Sequence, residues 1–273
     1  MISRNVSIIL IALLLHCLAC PAGAALSGEQ IHSLFDSANQ AFRQANSIAD
    51  DPDEARRLYE KAILNYEKII SDGRINNPKL CYNLANAYLL NGDMGRAILN
   101  YRRAEMLDKT DTSVQKNLAF ARSRRIDKVT AKTEERIMKT LFFWHYDFSV
   151  RTKFLISCVC FAIVCTVLTV MTWRGRAFQW IATAVICSLL TICFLISVVI
   201  ETRARAGEVA GVITAEEVVA RQGDGRNYPE SFKDPLHAGT EFDLIEHRPG
   251  WFHVRLSDNS EAWIPNNSAD LIL

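Results

Sequence analysis

Apolar and polar residues follow three successive rhythms along this chain. Between residues 25 and 130, apolar and small side chains recur every third or fourth position. They do so in Ala38, Ala41 and Phe42, in Ala62, Tyr66 and Ile69, in Leu84, Ala85 and Tyr88, and in Ala97, Tyr101 and Ala104. This spacing puts each set on one face of a helix, so the region is predicted to be all-α. Residues 154–171 and 178–200 then carry no charged side chain. About twenty such residues rise far enough to cross the ~30 Å hydrocarbon layer of a bilayer, and the short link at 172–177 predicts a two-helix transmembrane hairpin. From residue 207 the period shortens to two. Residues 208–220, 240–246, 251–256 and 261–264 read as strands, punctuated by Gly223, Gly225, Pro249-Gly250 and Asp258-Asn259. That layout fits a small all-β barrel of five strands.

The helical rhythm also has a longer period. Asn83-Leu84-Ala85 with Ala87 returns thirty-four positions later as Asn117-Leu118-Ala119 with Ala121. Small residues at Ala85, Ala97 and Ala104 allow close helix approach, with Tyr88 and Tyr101 filling the gaps around them. Asn91-Gly92-Asp93 supplies the turn, Gly92 taking the left-handed conformation and Asp93 capping the next helix. These positions resemble the tetratricopeptide repeat family, helix-turn-helix units of this period that stack on one another and hold other proteins. Lys109 stands where that family often has a helix-ending proline. Ala38-Asn39, Ala41-Phe42, Ala62, Tyr66 and Ile69 read as an earlier copy with about twelve extra residues between its halves, where Asp51-Pro52 marks a helix start. Residues 112–129 supply one further helix as a cap.

The N-terminus addresses the compartment. Arg4, an apolar run over residues 6–19 and Ala22-Gly23-Ala24 read as a secretory signal peptide, residues 1–24. Alternatives are a lipid anchor on Cys20 and an uncleaved membrane anchor. Because a hairpin crosses twice, residues 25–130 and 207–273 lie on one side, predicted to be periplasmic, with Arg174 and Arg176 cytoplasmic. Arg151, Lys153, Arg203 and Arg205 at the other end are as numerous, so orientation rests on the leader rather than on the charge rule. Residues 131–153 form a membrane-proximal linker. Its run Phe142-Phe143-Trp144-His145-Tyr146, with Trp173 and Trp180, suits the interfacial aromatic belts.

The C-terminal segment resembles a bacterial SH3-type domain. Val218-Val219-Ala220-Arg221 looks like its opening strand, and Gly239-Thr240-Glu241-Phe242 like the turn into the second. Pro249-Gly250-Trp251-Phe252 looks like its tryptophan-bearing hairpin, and Ala262-Trp263-Ile264-Pro265 like its final strand. The resemblance implies that Trp251 and Pro265 flank a peptide groove. Ser268 replaces a common tyrosine and no acidic aromatic motif stands in the long loop, so polyproline recognition is not implied.

Composition narrows the chemistry. A formal net charge of +1 argues against a nucleic-acid partner, and Arg122, Arg124 and Arg125 read as a solvated or headgroup-facing stripe. Of eight cysteines only Cys81 lies outside the leader and the two apolar runs, so no disulfide framework is expected. No catalytic motif, metal-ligand spacing or cofactor loop is present, which predicts a binding protein rather than an enzyme. Lys79, Tyr82, Asn86 and Leu89, with Lys116 and Asn117, are the candidate repeat groove. Asn86 and Asn117 match asparagines with which some tetratricopeptide domains grip a terminal carboxylate, although Tyr82 stands in place of that clamp's lysine. The alternative reading makes Asn83 and Asn117 ordinary inter-helix bonding residues.

The order of leader, helical repeats, membrane hairpin and C-terminal barrel resembles the E-type proteins of bacterial aerotolerance (Bat) operons. That resemblance implies a membrane-anchored periplasmic adaptor, with von Willebrand A-domain proteins and a MoxR-type ATPase system as partners and a role in oxidative or envelope stress. The alternative is a sensor that binds peptidoglycan through the SH3-like part.

Overall fold

The computed structural model describes residues 26–48, 50–127, 142, 148–175, 177–207 and 209–272. The leader and residues 143–147 of the aromatic run lie outside the described residues. The chain divides into two compact units, residues 1–76 and 77–273.

In the first unit, α1 (Gly28–Ser47) and α2 (Pro52–Ser71) pack as a pair. Ser27 and Gln30 close a capping box on α1, and the Asp51 carboxylate caps α2 with Pro52 in its first turn. The Tyr66 hydroxyl donates to Asn39 Oδ1 at 2.7 Å and the Tyr59 hydroxyl to Asn46 Oδ1 at 2.6 Å, a pairing that makes the two helices antiparallel. Burial pushes the Tyr66 phenol up to about 12.

The second unit begins with α3 (Pro78–Leu90), α4 (Met94–Leu107) and α5 (Thr112–Arg124). Gly92 takes φ +89° in the turn, and Asp93 accepts from the Arg96 amide at the start of α4. Leu84, Ala85, Ala97, Ile98, Tyr101 and Ala104 are buried between the helices. The Tyr101 hydroxyl donates to Asn86 Oδ1 at 2.5 Å, repeating the Tyr66–Asn39 bond. The partners are 15 residues apart here and 27 apart there, a difference that matches the extra segment expected from the sequence. At Lys109 no proline is needed: Asp108 accepts from both the amide and the hydroxyl of Thr110, which turns the chain after α4.

Two helices, α6 (Val150–Arg174) and α7 (Phe178–Gly207), form a hairpin broken at Gly175. Both exceed the apolar runs that predict them, and an 18-residue stretch in each of Val150–Arg174 and Phe178–Arg203 has a mean hydropathy of 2.7, so both are long and apolar enough to cross a bilayer. Phe154, Leu155, Phe161 and Leu189 are exposed, which is not the surface of a soluble core helix. The seam between the helices is polar at one end: Lys153 and Ser157 are buried on α6, Ser197 and Glu201 on α7, with Lys153 Nζ 2.5 Å from Glu201 Oε2.

The β part follows α7 directly. Strands β1 (Val209–Ile213), β4 (Glu241–Arg248), β5 (Trp251–Leu256), β6 (Glu261–Pro265) and β7 (Ala269–Leu271) form an antiparallel sheet in the order β6-β5-β4-β1-β7. Strands β2 (Glu217–Val218) and β3 (Leu236–His237) pair separately. The single strand expected over 208–220 is thus two. The amides of Thr214 and Ala215 both donate to the Ser268 carbonyl at 3.0 Å, which pulls the backbone out of the ladder. Phe242, Phe252, Val254, Ala262 and Ile264 supply the core.

The β part sits on α4 and α5. A Cβ at Gly95 would lie 2.7 Å from the Ile213 carbonyl oxygen and 2.9 Å from Thr214 Cα, so only glycine lets α4 approach β1 this closely. Gly239, at φ +90°, meets Ile98 in the same way. Glu241 anchors the contact. Arg122 donates to its carboxylate from Nε at 2.7 Å and from Nη2 at 2.6 Å, Arg125 donates from Nη1 at 3.2 Å, and Arg102 Nε lies 3.2 Å away. The solvated stripe expected from the sequence is therefore corrected. Arg122 and Arg125 face the sheet, and Arg124 alone points elsewhere, over the Phe120 ring. Beside them Asp127 accepts from the His237 amide at 2.7 Å and the Thr240 hydroxyl at 2.6 Å.

Burial alone would raise the Glu241 carboxyl, but the hydrogen bonds and charge of Arg122 and the charges of Arg102 and Arg125 outweigh it and hold it below its ordinary 4.5. Asp127 is likewise held below 3.8, the bonds from Thr240 and His237 overcoming its burial. Both groups bind protons less readily folded than unfolded, so their contribution is complete above these ordinary values and is lost as pH falls through the lowered folded ones. Glu241→Ala, which strands three arginines, is expected to cost about 3 kcal/mol in urea unfolding of the detergent-solubilised chain followed by tryptophan fluorescence. In Glu241→Gln the loss of stability below pH 4.5 should be shallower than in the parent.

Candidate functional site

Two of the residues carried over from the sequence meet on the β part. Trp251 on β5 pairs in register with Pro265 on β6, and both line an open cleft of about 370 Å³. Trp251 is half-buried, whereas Trp263 is buried, stacked on His253 with ring centroids 4.6 Å apart and covered by Arg248 at 4.7 Å. The sheet thus divides its tryptophans, one to packing and one to the cleft.

The rest of its lining was not legible in the sequence. Val219, which is exposed, lines it together with Arg221, Arg226, Glu217, Asn267 and Ser268. Arg221 is oriented by a 2.8 Å bond from Nη1 to the Tyr228 carbonyl, and Arg226 makes no ion pair among the described residues. Two guanidiniums against one carboxylate leave the cleft positive. An aromatic face, a proline and a guanidinium suit an extended peptide that presents an apolar side chain next to a carboxylate. The only sequence signal was the pair of arginines in the loop after the expected first strand.

The repeat-groove residues separate into two groups. Tyr82 and Asn86 on α3 meet Asn117 on α5: the Asn117 amide donates at 3.0 Å to the Tyr82 hydroxyl and at 3.0 Å to Asn86 Oδ1, which already accepts from Tyr101. Both protons of the Asn117 amide and both lone pairs of Asn86 Oδ1 are consumed, so this network ties helices together and leaves the Asn86 amide and the Tyr82 hydroxyl proton to meet a carboxylate. Lys79 and Lys116 are exposed and Leu89 is half-buried, none of them joined to the network. Cys81 is buried beneath, and burial pushes its thiol up, away from thiolate reactivity.

Among the described residues no group of three or more His, Cys, Asp or Glu side chains is arranged to hold a metal ion. No protein-family model matches the chain, and no curated protein matches it.

Asn117→Ala, which removes two hydrogen bonds and leaves Tyr82 without its donor, is expected to lower unfolding stability by about 1–2 kcal/mol. Trp251→Ala, at the cleft wall, should stay within about 1 kcal/mol of the parent. Urea titration of both variants in the same detergent checks the contrast between a packing network and a surface open to ligand.

Proposed function

We propose that this chain is a membrane-anchored protein-interaction adaptor of the bacterial envelope, with its helical repeats and SH3-type barrel on the periplasmic side. The observation that carries the reading is the Trp251–Pro265 cleft, an open apolar and cationic surface braced against helices that adjoin an apolar hairpin. The recurrent Tyr–Asn bond of the helical pairs supports a tetratricopeptide assignment, and the five-stranded antiparallel order supports an SH3-type one. The hairpin, crossing the inner membrane twice, confines the cleft near the bilayer and raises its effective concentration for membrane-bound partners. By its order of parts the protein would serve in an aerotolerance complex, with von Willebrand A-domain proteins and a MoxR-type ATPase system.

The cleft also supports a second reading. Arg221 and Arg226 suit the carboxylates of peptidoglycan stem peptides, so a wall-binding sensor uses the same surface. Crosslinking and affinity purification of the tagged full-length chain from solubilised membranes separates the two. Recovery of membrane proteins that falls at least about tenfold with Trp251→Ala is the adaptor result; co-sedimentation with purified sacculi that Trp251→Ala abolishes is the sensor result. Recovery indifferent to Trp251 would remove the cleft from both.

A further inference from the structure

A second cleft, of about 640 Å³, opens where α4 and the turn after it meet the ends of α6 and α7. Lys109, Thr110, Ser149 and Arg151 contribute its polar wall, and Met106 and Leu107, both exposed, its apolar one. Its depth follows from the hairpin: Arg151 stands just before the uncharged run that starts at Phe154, and Thr202, also on the wall, just after the run that ends at Ile200. If the hairpin spans a bilayer, this is headgroup level.

The local charge is positive and fixed in place. Glu201 is gripped by two ammoniums, Lys109 Nζ at 2.6 Å and Lys153 Nζ at 2.5 Å. Arg151 makes no ion pair among the described residues, and the nearby carboxylate, Asp108, is turned onto Thr110 by bonds of 2.9 and 2.7 Å. Among the described residues that line the cleft, Lys109 and Arg151 are cationic against the one carboxylate of Asp108, which leaves a net positive charge beside an apolar shelf.

We infer that this cleft binds the phosphodiester of an anionic phospholipid, with Arg151 and Lys109 facing the phosphate and Met106 and Leu107 lying along the glycerol end of the acyl chains. The inference rests on the membrane reading proposed above. A zwitterionic lipid would bring its own ammonium against Arg151 and Lys109, so the site discriminates by headgroup charge. A free phosphate ion would use the cations but leave the apolar shelf uncovered.

The test uses the full chain purified in mild detergent and mixed with phosphatidylglycerol or phosphatidylcholine, with bound lipids counted by native mass spectrometry. One phosphatidylglycerol per chain should be retained in preference to phosphatidylcholine and should resist millimolar inorganic phosphate. Arg151→Gln should cut that preference about fivefold, Arg151→Lys should restore most of it, and Arg174→Gln at the other end of α6 should leave it intact. Circular dichroism of each variant separates lost binding from lost fold. Equal retention of both lipids, indifference to Arg151, or displacement by inorganic phosphate would overturn the inference. Flotation of the same preparation with vesicles reads the membrane anchoring separately: a chain that floats without headgroup preference sinks only the lipid site, whereas one that stays in the dense fraction sinks both.

Discussion

One carboxylate determines how the C-terminal half is put together. Glu241, at the start of β4, is held by arginines from α4, from α5 and from the residue that follows α5. A planar guanidinium can offer two parallel donors to a carboxylate, and Arg122 does so, which fixes orientation as well as proximity. The glycines at 95 and 239 make the rest possible, because they let backbone meet helix closely enough for the side chains to reach. Removing the charge or filling the gap separates the same two surfaces.

The helical part is held together by a different device. Each pair uses small residues for close approach and a buried tyrosine whose hydroxyl returns to an asparagine on the partner helix. A buried phenol without that partner would be costly, so the asparagines are needed wherever the tyrosines are. This explains why Asn86 and Asn117, attractive as ligand-binding amides, are largely spent inside the fold. The proposed binding surface lies on the sheet, where Trp251 has no comparable obligation among the described residues.

Within the second unit the apolar hairpin is tied to the helices and the sheet beside it. Helix α7 runs straight into β1, and Glu201 on that helix pairs with Lys153 across the hairpin and with Lys109 from the turn after α4. Ion pairs of this kind are expensive to bury. Here they join the turn after α4 to the ends of the hairpin.

Local pattern determined the element types: the helices and most of the strands follow from spacings of 3.6 and 2, and the two apolar spans from the length of their uncharged runs, because these are local properties of the chain. The twelve-residue insertion in the first helical pair was also legible, since both halves keep their small-large-small pattern. Strand β7 and the break after β1 were not legible, because three residues carry no period and the break is made by a carbonyl more than fifty positions away. Trp251 and Pro265 were legible as a pair only through resemblance, while Val219, Arg221 and Arg226 became their neighbours only when the loop folded over. The fate of the arginines shows the same division. In sequence Arg122, Arg124 and Arg125 are one basic run, and only the position of Glu241, 119 and 116 residues from the two arginines that hydrogen-bond it, decides which turn inward. Charge pairing acts through space, so its partners are set by tertiary structure.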